Sequence, residues 1–166
     1  MAANMYLKLE GVEGESESAS NPGEFEILSW SHSFTQPTSP TRVSAGAGTV
    51  EKAHHSDLTF TKYMDKGTPP VLKACWNGKQ MEKATLTCYR SDGAEDGQPL
   101  KYLTIEMDEV VISNVSVSGG AGDIPIENIS LNYGKVSYNY MPQNKGSGQG
   151  EGNSAATHDL KTNSIS

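Results

Sequence analysis

Hydrophobic and polar residues alternate along most of the chain in short runs, each closed by Gly, Pro, Asn or Asp. A period of two is the pattern of a strand with one face buried. Met5, Leu7 and Leu9 alternate with Tyr6, Lys8 and Glu10 in the first run, and Leu28, Trp30, His32 and Phe34 alternate with Ser29, Ser31 and Ser33 in the second. Further runs cover 57–63, 84–90, 100–108, 110–118, 124–133 and 135–141, separated by turn residues such as Ser91-Asp92-Gly93, Gly119-Gly120-Ala121-Gly122 and Tyr133-Gly134-Lys135. Regular short strands with such turns predict an all-β sandwich or barrel.

One segment has a different period. Thr68 offers a capping hydroxyl, Pro69 and Pro70 suit a first helical turn, and Gly78 suits a left-handed helix end, so the pattern predicts one short helix over 68–77. Val71, Leu72, Cys75 and Trp76 then form an apolar stripe able to close one side of a barrel. Trp30, Phe60, Leu72 and Leu86 fall on the apolar faces of their elements and are expected in the core.

Two stretches lack either period. The segment 35–53, with Pro37, Pro40, Gly46 and Gly48, is long against connections of about 4 to 6 residues and is expected to be disordered or to lie on a partner. The segment 144–156 is rich in Gly, Ser, Gln and Asn and has little apolar surface to bury. The expected organisation is a single β domain over 1–143 and a flexible polar tail over 144–166.

Composition narrows the function classes. A length of 166 residues suits one domain, and a net charge of −7 argues against a nucleic-acid partner, which would need a basic surface. The mean hydropathy is −0.53 and no apolar run of about 18 residues occurs, so membrane insertion is not expected. The opening residues enter an alternating run directly, without a basic and apolar leader, and a cytosolic start is expected. Cys75 and Cys88 fit no paired metal spacing and are expected to be buried thiols.

Candidate chemistry is sparse. His54 and His55 lie near Asp57, but neighbours in a strand point to opposite faces, so surface or interface histidines are expected rather than a metal site. Glu13, Glu15 and Glu17 stand in a Gly- and Ser-rich stretch where water keeps carboxylates ordinary. The glycines at 119–122 lack the Lys-Ser or Lys-Thr of a phosphate loop, and no G-x-S-x-G elbow occurs. Asn114-Val115-Ser116 and Asn128-Ile129-Ser130 match a glycosylation triplet inside expected strands and are read as chance matches. No catalytic residue, metal ligand or cofactor is expected.

The stretch from Asp57 through Phe60, Lys62 and Asp65 to Pro69 resembles the haemolysin-coregulated protein (Hcp) family, whose strand runs through Lys-x-x-Asp into a capped helix. The opening 5–16, Ile27-Leu28-Ser29-Trp30-Ser31, the stretch 131–136 and the closing 157–163 are similar as well, although His158 stands where many members carry Trp. The resemblance implies a small two-sheet β-barrel with one flanking helix, like a phage tail tube, assembled as a hexameric ring. It implies stacking of rings into a type VI secretion tube, a spike and contractile sheath as partners, effector proteins carried in the lumen, and a cytoplasmic chain that is later secreted without a signal peptide. Closed rings with unlike faces can stack indefinitely. On this reading Gln36, Thr41, Arg42, Val43, Gly46 and Gly48 belong to an arm reaching a neighbouring subunit, and Ser29, Ser31 and Ser33 face the lumen and contact cargo. The alternatives are a viral tail-tube protein, a monomeric carbohydrate- or peptide-binding sandwich, and a small β-barrel hydrolase or effector-bearing Hcp.

Overall fold

The computed structural model describes residues 4–37, 52–91, 99–143 and 152–166. In chain order the strands are β1 (Met5–Leu9), β2 (Phe25–Glu26), β3 (Ser29–Ser31), β4 (Phe34–Thr35), β5 (His54–His55) and β6 (Leu58–Tyr63). The helix α1 (Thr68–Asn77) follows, then β7 (Gln80–Ser91), β8 (Pro99–Ser118), β9 (Ile126–Asn132), β10 (Lys135–Tyr140), β11 (Ser154–Asp159) and β12 (Ser164–Ile165). The fold is all-β with one helix, as the alternation predicts.

Antiparallel pairing runs β2–β1–β7–β8 on one side and β8–β9–β6–β3 on the other. The segment joining β2 to β3 links the two ends: Ile27 N–H donates to Met5 O at 3.0 Å, and Leu28 N–H donates to Thr61 O at 2.8 Å. The pairing circuit therefore returns on itself around a core that includes Leu7, Phe25, Phe60, Leu86, Met107 and Ile129, each no more than 1% exposed. Closure removes bare edges.

Strand β8 carries this arrangement. The runs 100–108 and 110–118 form one strand of 20 residues, joined at Glu109 with φ of 54°. Ile105 and Met107 point inward before it, and Val110 and Ile112 after it. The left-handed residue thus resets the inward phase by one position, and β8 changes its second partner from β10 to β9 at this point. A local irregularity that bends a strand is how one strand serves two sheets.

The helix packs on β8. Its end is as expected, with Gly78 at φ of 64° and Lys79 N–H donating to Ala74 O at 3.1 Å. Its start differs, because Gly67 is the cap and Thr68 Oγ1 instead accepts from Asp65 N–H at 3.1 Å. The buried face is Val71 and Ala74, while Leu72 and Cys75 are half-buried and Trp76 is 78% exposed. The expected stripe is therefore rotated, from Leu72, Cys75 and Trp76 towards Val71 and Ala74. Cys88 is buried, and both cysteines are free thiols.

The second alternating run does not form one strand. The chain leaves β6 after Ser31, and Phe34 pairs with His55 in a separate two-stranded piece. Phe34 is 49% exposed in that piece, Leu28, ahead of β3, is 42% exposed, and Trp30 is half-buried, not fully in the core. The tail also departs from expectation. β11 pairs with β10 over six residue pairs from Lys135↔Asp159 to Tyr140↔Ser154, and β12 folds back on it. Backbone hydrogen bonds to an available edge need no apolar side chains, which is why composition alone misses these strands.

Candidate functional site

The Lys-x-x-Asp stretch builds a buried ionic cluster. Lys62 on β6 is 1% exposed, and its Nζ lies 3.0 Å from Asp65 Oδ1 and 2.7 Å from Glu127 Oε2, with Glu127 directly opposite on β9. Nζ also donates to Tyr63 O at 3.2 Å and sits 4.7 Å from the centre of the Phe25 ring. Neither Glu127 oxygen has an aligned hydrogen bond among the described residues, so the short contact acts through charge. Asp65 Oδ1 accepts from Gly67 N–H at 3.0 Å, which ties the cluster to the start of α1. Asp57 is a second anchor, accepting from Ser113 Oγ at 2.5 Å and Asn132 Nδ2 at 2.9 Å.

Two rows on the opposite face of the same strands are uncharged and small, with Asp57 beyond them at one end and Tyr63 opposite Ile126 at the other. Ser29 is opposite Thr61, Thr61 opposite Asn128, and Asn128 opposite Ser116. In the next row Ser31 is opposite Thr59, Thr59 opposite Ser130, and Ser130 opposite Asn114. Residues directly opposite share a sheet face, so the serine stripe of β3 widens into a hydroxyl and amide wall across β3, β6, β9 and β8. Hydrogen bonds within it join Ser29 to Thr61 and Thr59 to Ser130. Ser33 is exposed but lies past the end of β3, where its N–H donates to Ser56 Oγ at 2.9 Å.

A third constellation sits where β4 and β5 meet the tail. His32 Nδ1 lies 2.5 Å from Tyr138 Oη and its Nε2 lies 2.7 Å from Tyr133 Oη. Tyr133 Oη is also 2.7 Å from His55 Nδ1, and His55 Nε2 is 2.8 Å from His158 Nδ1. His158 Nε2 ends the chain 2.9 Å from Asn163 Oδ1. Burial, reinforced by the neighbouring His55, lowers His32 to about 4, and burial with His158 and Lys52 lowers His55. Burial pushes Tyr138 up to about 12 and Tyr133 higher. An apolar cavity of about 310 Å³ opens beside them, walled by Phe34, Val136, Ala156 and Ile165 among others.

The family profile described as "Type VI secretion system effector, Hcp" matches residues 6–140. The chain belongs to the Hcp family. Protein hcp1 of Pseudomonas aeruginosa is 37% identical over 144 residues, covering 86% of each chain. The crystal structure of Hcp1 from Salmonella typhimurium superposes with a TM-score of 0.79 at 27% identity over 100% of both chains. The structure of a type six secretion system protein gives 0.87 at 25% identity over 99% of this chain and 100% of that one.

In this Hcp chain, the motif residues Lys62 and Asp65 form the buried cluster, Phe60 lies in the apolar core, Asp57 pins β6 to β8 and β9, and the exposed Pro69 opens the helix. Of the expected arm, Gln36 is exposed, while Thr41, Arg42, Val43, Gly46 and Gly48 lie outside the described residues. From the sequence, His54 and His55 are expected to be surface or interface histidines. His54 is exposed, but His55 turns inward to Tyr133 and His158, as opposite faces of one strand require. Glu15 does more than expected, accepting from Lys66 N–H at 3.1 Å. No signal in the sequence joins His32, Tyr133, Tyr138 and His158, which come from three distant stretches.

Proposed function

We propose that this Hcp chain is the structural subunit of the inner tube of a type VI secretion system, forming hexameric rings that stack, and that it is not an enzyme. The observation that carries the reading is the uncharged wall of Ser29, Ser31, Thr59, Thr61, Asn114, Ser116, Asn128 and Ser130 behind an apolar core. Such a surface is wetted, offers weak hydrogen bonds and holds no deep apolar pocket to trap a passing protein. We assign it to the lumen, with effectors as cargo and the spike and contractile sheath as partners. The chain is then cytoplasmic before firing and leaves through the apparatus. The arm around 36–48 reaches the adjacent subunit.

Size-exclusion chromatography with light scattering should give six times the mass of 17.8 kDa. A monomer at micromolar concentration would refute the ring, and the carbohydrate- or peptide-binding sandwich would then be preferred. Deleting 39–48 should lower the hexamer fraction and the thermal stability; an unchanged hexamer would remove the arm from the interface. Ser31→Trp should keep the ring mass and reduce retention of a lumen-carried effector. Unaltered retention would move Ser31 out of the lumen.

A further inference from the structure

The five contacts of the histidine and tyrosine chain admit a consistent proton assignment when every member is neutral. Asn163 Oδ1 only accepts, so His158 Nε2 carries hydrogen and its Nδ1 accepts from His55 Nε2–H. His55 Nδ1 then accepts from the Tyr133 hydroxyl, Tyr133 Oη accepts from His32 Nε2–H, and His32 Nδ1 accepts from the Tyr138 hydroxyl. All three imidazoles are Nε2–H tautomers, and every contact is a hydrogen bond. The tautomers follow from this accounting.

Added protons are not equivalent. One proton on His158 is accommodated if the chain reverses: His158 Nδ1–H donates to His55 Nε2, His55 Nδ1–H to Tyr133, the Tyr133 hydroxyl to His32 Nε2, and His32 Nδ1–H to Tyr138. A second proton has no such arrangement. On His55 it sets two N–H groups against each other across 2.8 Å. On His32 it leaves Tyr133, 5% exposed, accepting twice with its own hydrogen unpaired in the chain.

We propose that this chain is an acid-sensitive latch, which clamps β11, β12 and the β4–β5 pair to the barrel when its histidines are neutral and releases them when a second proton is taken up. The geometry supports a latch because the chain bridges three stretches: His32 and His55 flank the arm, Tyr133 and Tyr138 belong to the barrel side, and His158 and Asn163 belong to the tail. The cavity beside it gives water a place to enter once the contacts part. Asp57 faces His32 and favours its charge, whereas Lys52 and His158 face His55 and oppose charge there. Lys52 also donates to Leu160 O, and Lys161 pairs with Glu109 at 2.5 Å, so the same turn is held by contacts outside the chain.

The sign follows from linkage. His32 and His55 bind protons less readily in the folded protein, so the unfolded chain holds more protons below its ordinary histidine pKa of about 6.5. Stability from the latch is present above about 6.5 and is lost as the pH falls towards about 4, the His32 value. The latch is a property of the tail and arm within one subunit and stands whether or not the tube reading does.

Hydrogen exchange of the full chain, corrected for intrinsic pH dependence, tests it. Between pH 6.5 and 4 the β11 amides should lose about tenfold or more of their protection relative to β7 and β8 amides. Equal behaviour of β11 and β7 would overturn the proposal. His55→Phe keeps an aromatic ring but removes a proton site, and it should abolish or shift this pH step, separating it from acid uptake by carboxylates; an identical step would also overturn it. Should that variant release the tail at every pH, nitrogen-15 NMR of the wild-type imidazoles decides. Three Nε2–H tautomers are expected at pH 8, and a neutral Nδ1–H form at any of them would refute the assignment.

Discussion

Lys62 and Glu127 are 1% and 0% exposed, so each depends on the other to keep a charge away from water. Removing one partner of a buried pair leaves an uncompensated charge and costs about 3 to 5 kcal/mol, whereas replacing both by apolar groups is often neutral. Lys62→Met should therefore lower the denaturation midpoint by an amount equivalent to about 3 to 5 kcal/mol, with an unchanged slope. The double variant Lys62→Met, Glu127→Leu should recover most of that loss, since Glu127 receives no aligned hydrogen bond among the described residues. A double variant as weak as the single one would show that the pair stabilises through more than charge. Half of this cluster is legible in the sequence: the spacing of Lys62 and Asp65 marks it. Glu127 is not, because strand register across 65 positions brings it there, and register is fixed by the whole sheet.

Among elements, the alternating strands are read easily and their irregularities are not. Glu109 looks like a turn between two strands because the inward phase changes there, yet the same phase change is what an uninterrupted bent strand requires. For α1, the proline start and glycine end fix the boundaries, but a short helix exposes its rotation only through its partner, so Trp76 faces out where a core contact is expected. Where the helix meets β2, the constraint is steric. A Cβ at Gly67 would lie 2.4 Å from Phe25 Cε1 and 2.9 Å from Glu13 O. The Phe25 ring is 1% exposed, with little room to move, and Glu13 contributes backbone. Gly67→Ala should therefore cost about 1 to 3 kcal/mol by overpacking. Gly120→Ala, where nothing lies within 4 Å, is the matched control and should stay within about 0.5 kcal/mol. Equal midpoints for the two would show that the β2–helix junction is not closely packed.

At the scale of the whole molecule, the last strands decide how β10 ends the sheet. Without β11, the outer edge of Lys135–Tyr140 would present its backbone groups to solvent, and Val136, 3% exposed in the fold, would lose cover. His158 would no longer meet His55, and the turn contacts Leu160 N–H to Gly134 O and Lys161 to Glu109 would go. The closed circuit from β1 through β9 needs none of these, so a chain ending at Asn144 should still fold. Two effects are expected together. The midpoint of thermal unfolding should fall by several degrees, since about 1 kcal/mol corresponds to roughly 2 to 4 °C for a domain of this size. The bare edge should also promote association through added strands, seen as polydisperse mass in light scattering in place of one discrete species. If the truncated chain instead keeps both its melting temperature and a single discrete mass, the tail contributes neither stability nor edge protection. Its pairing with β10 would then be dispensable to the subunit.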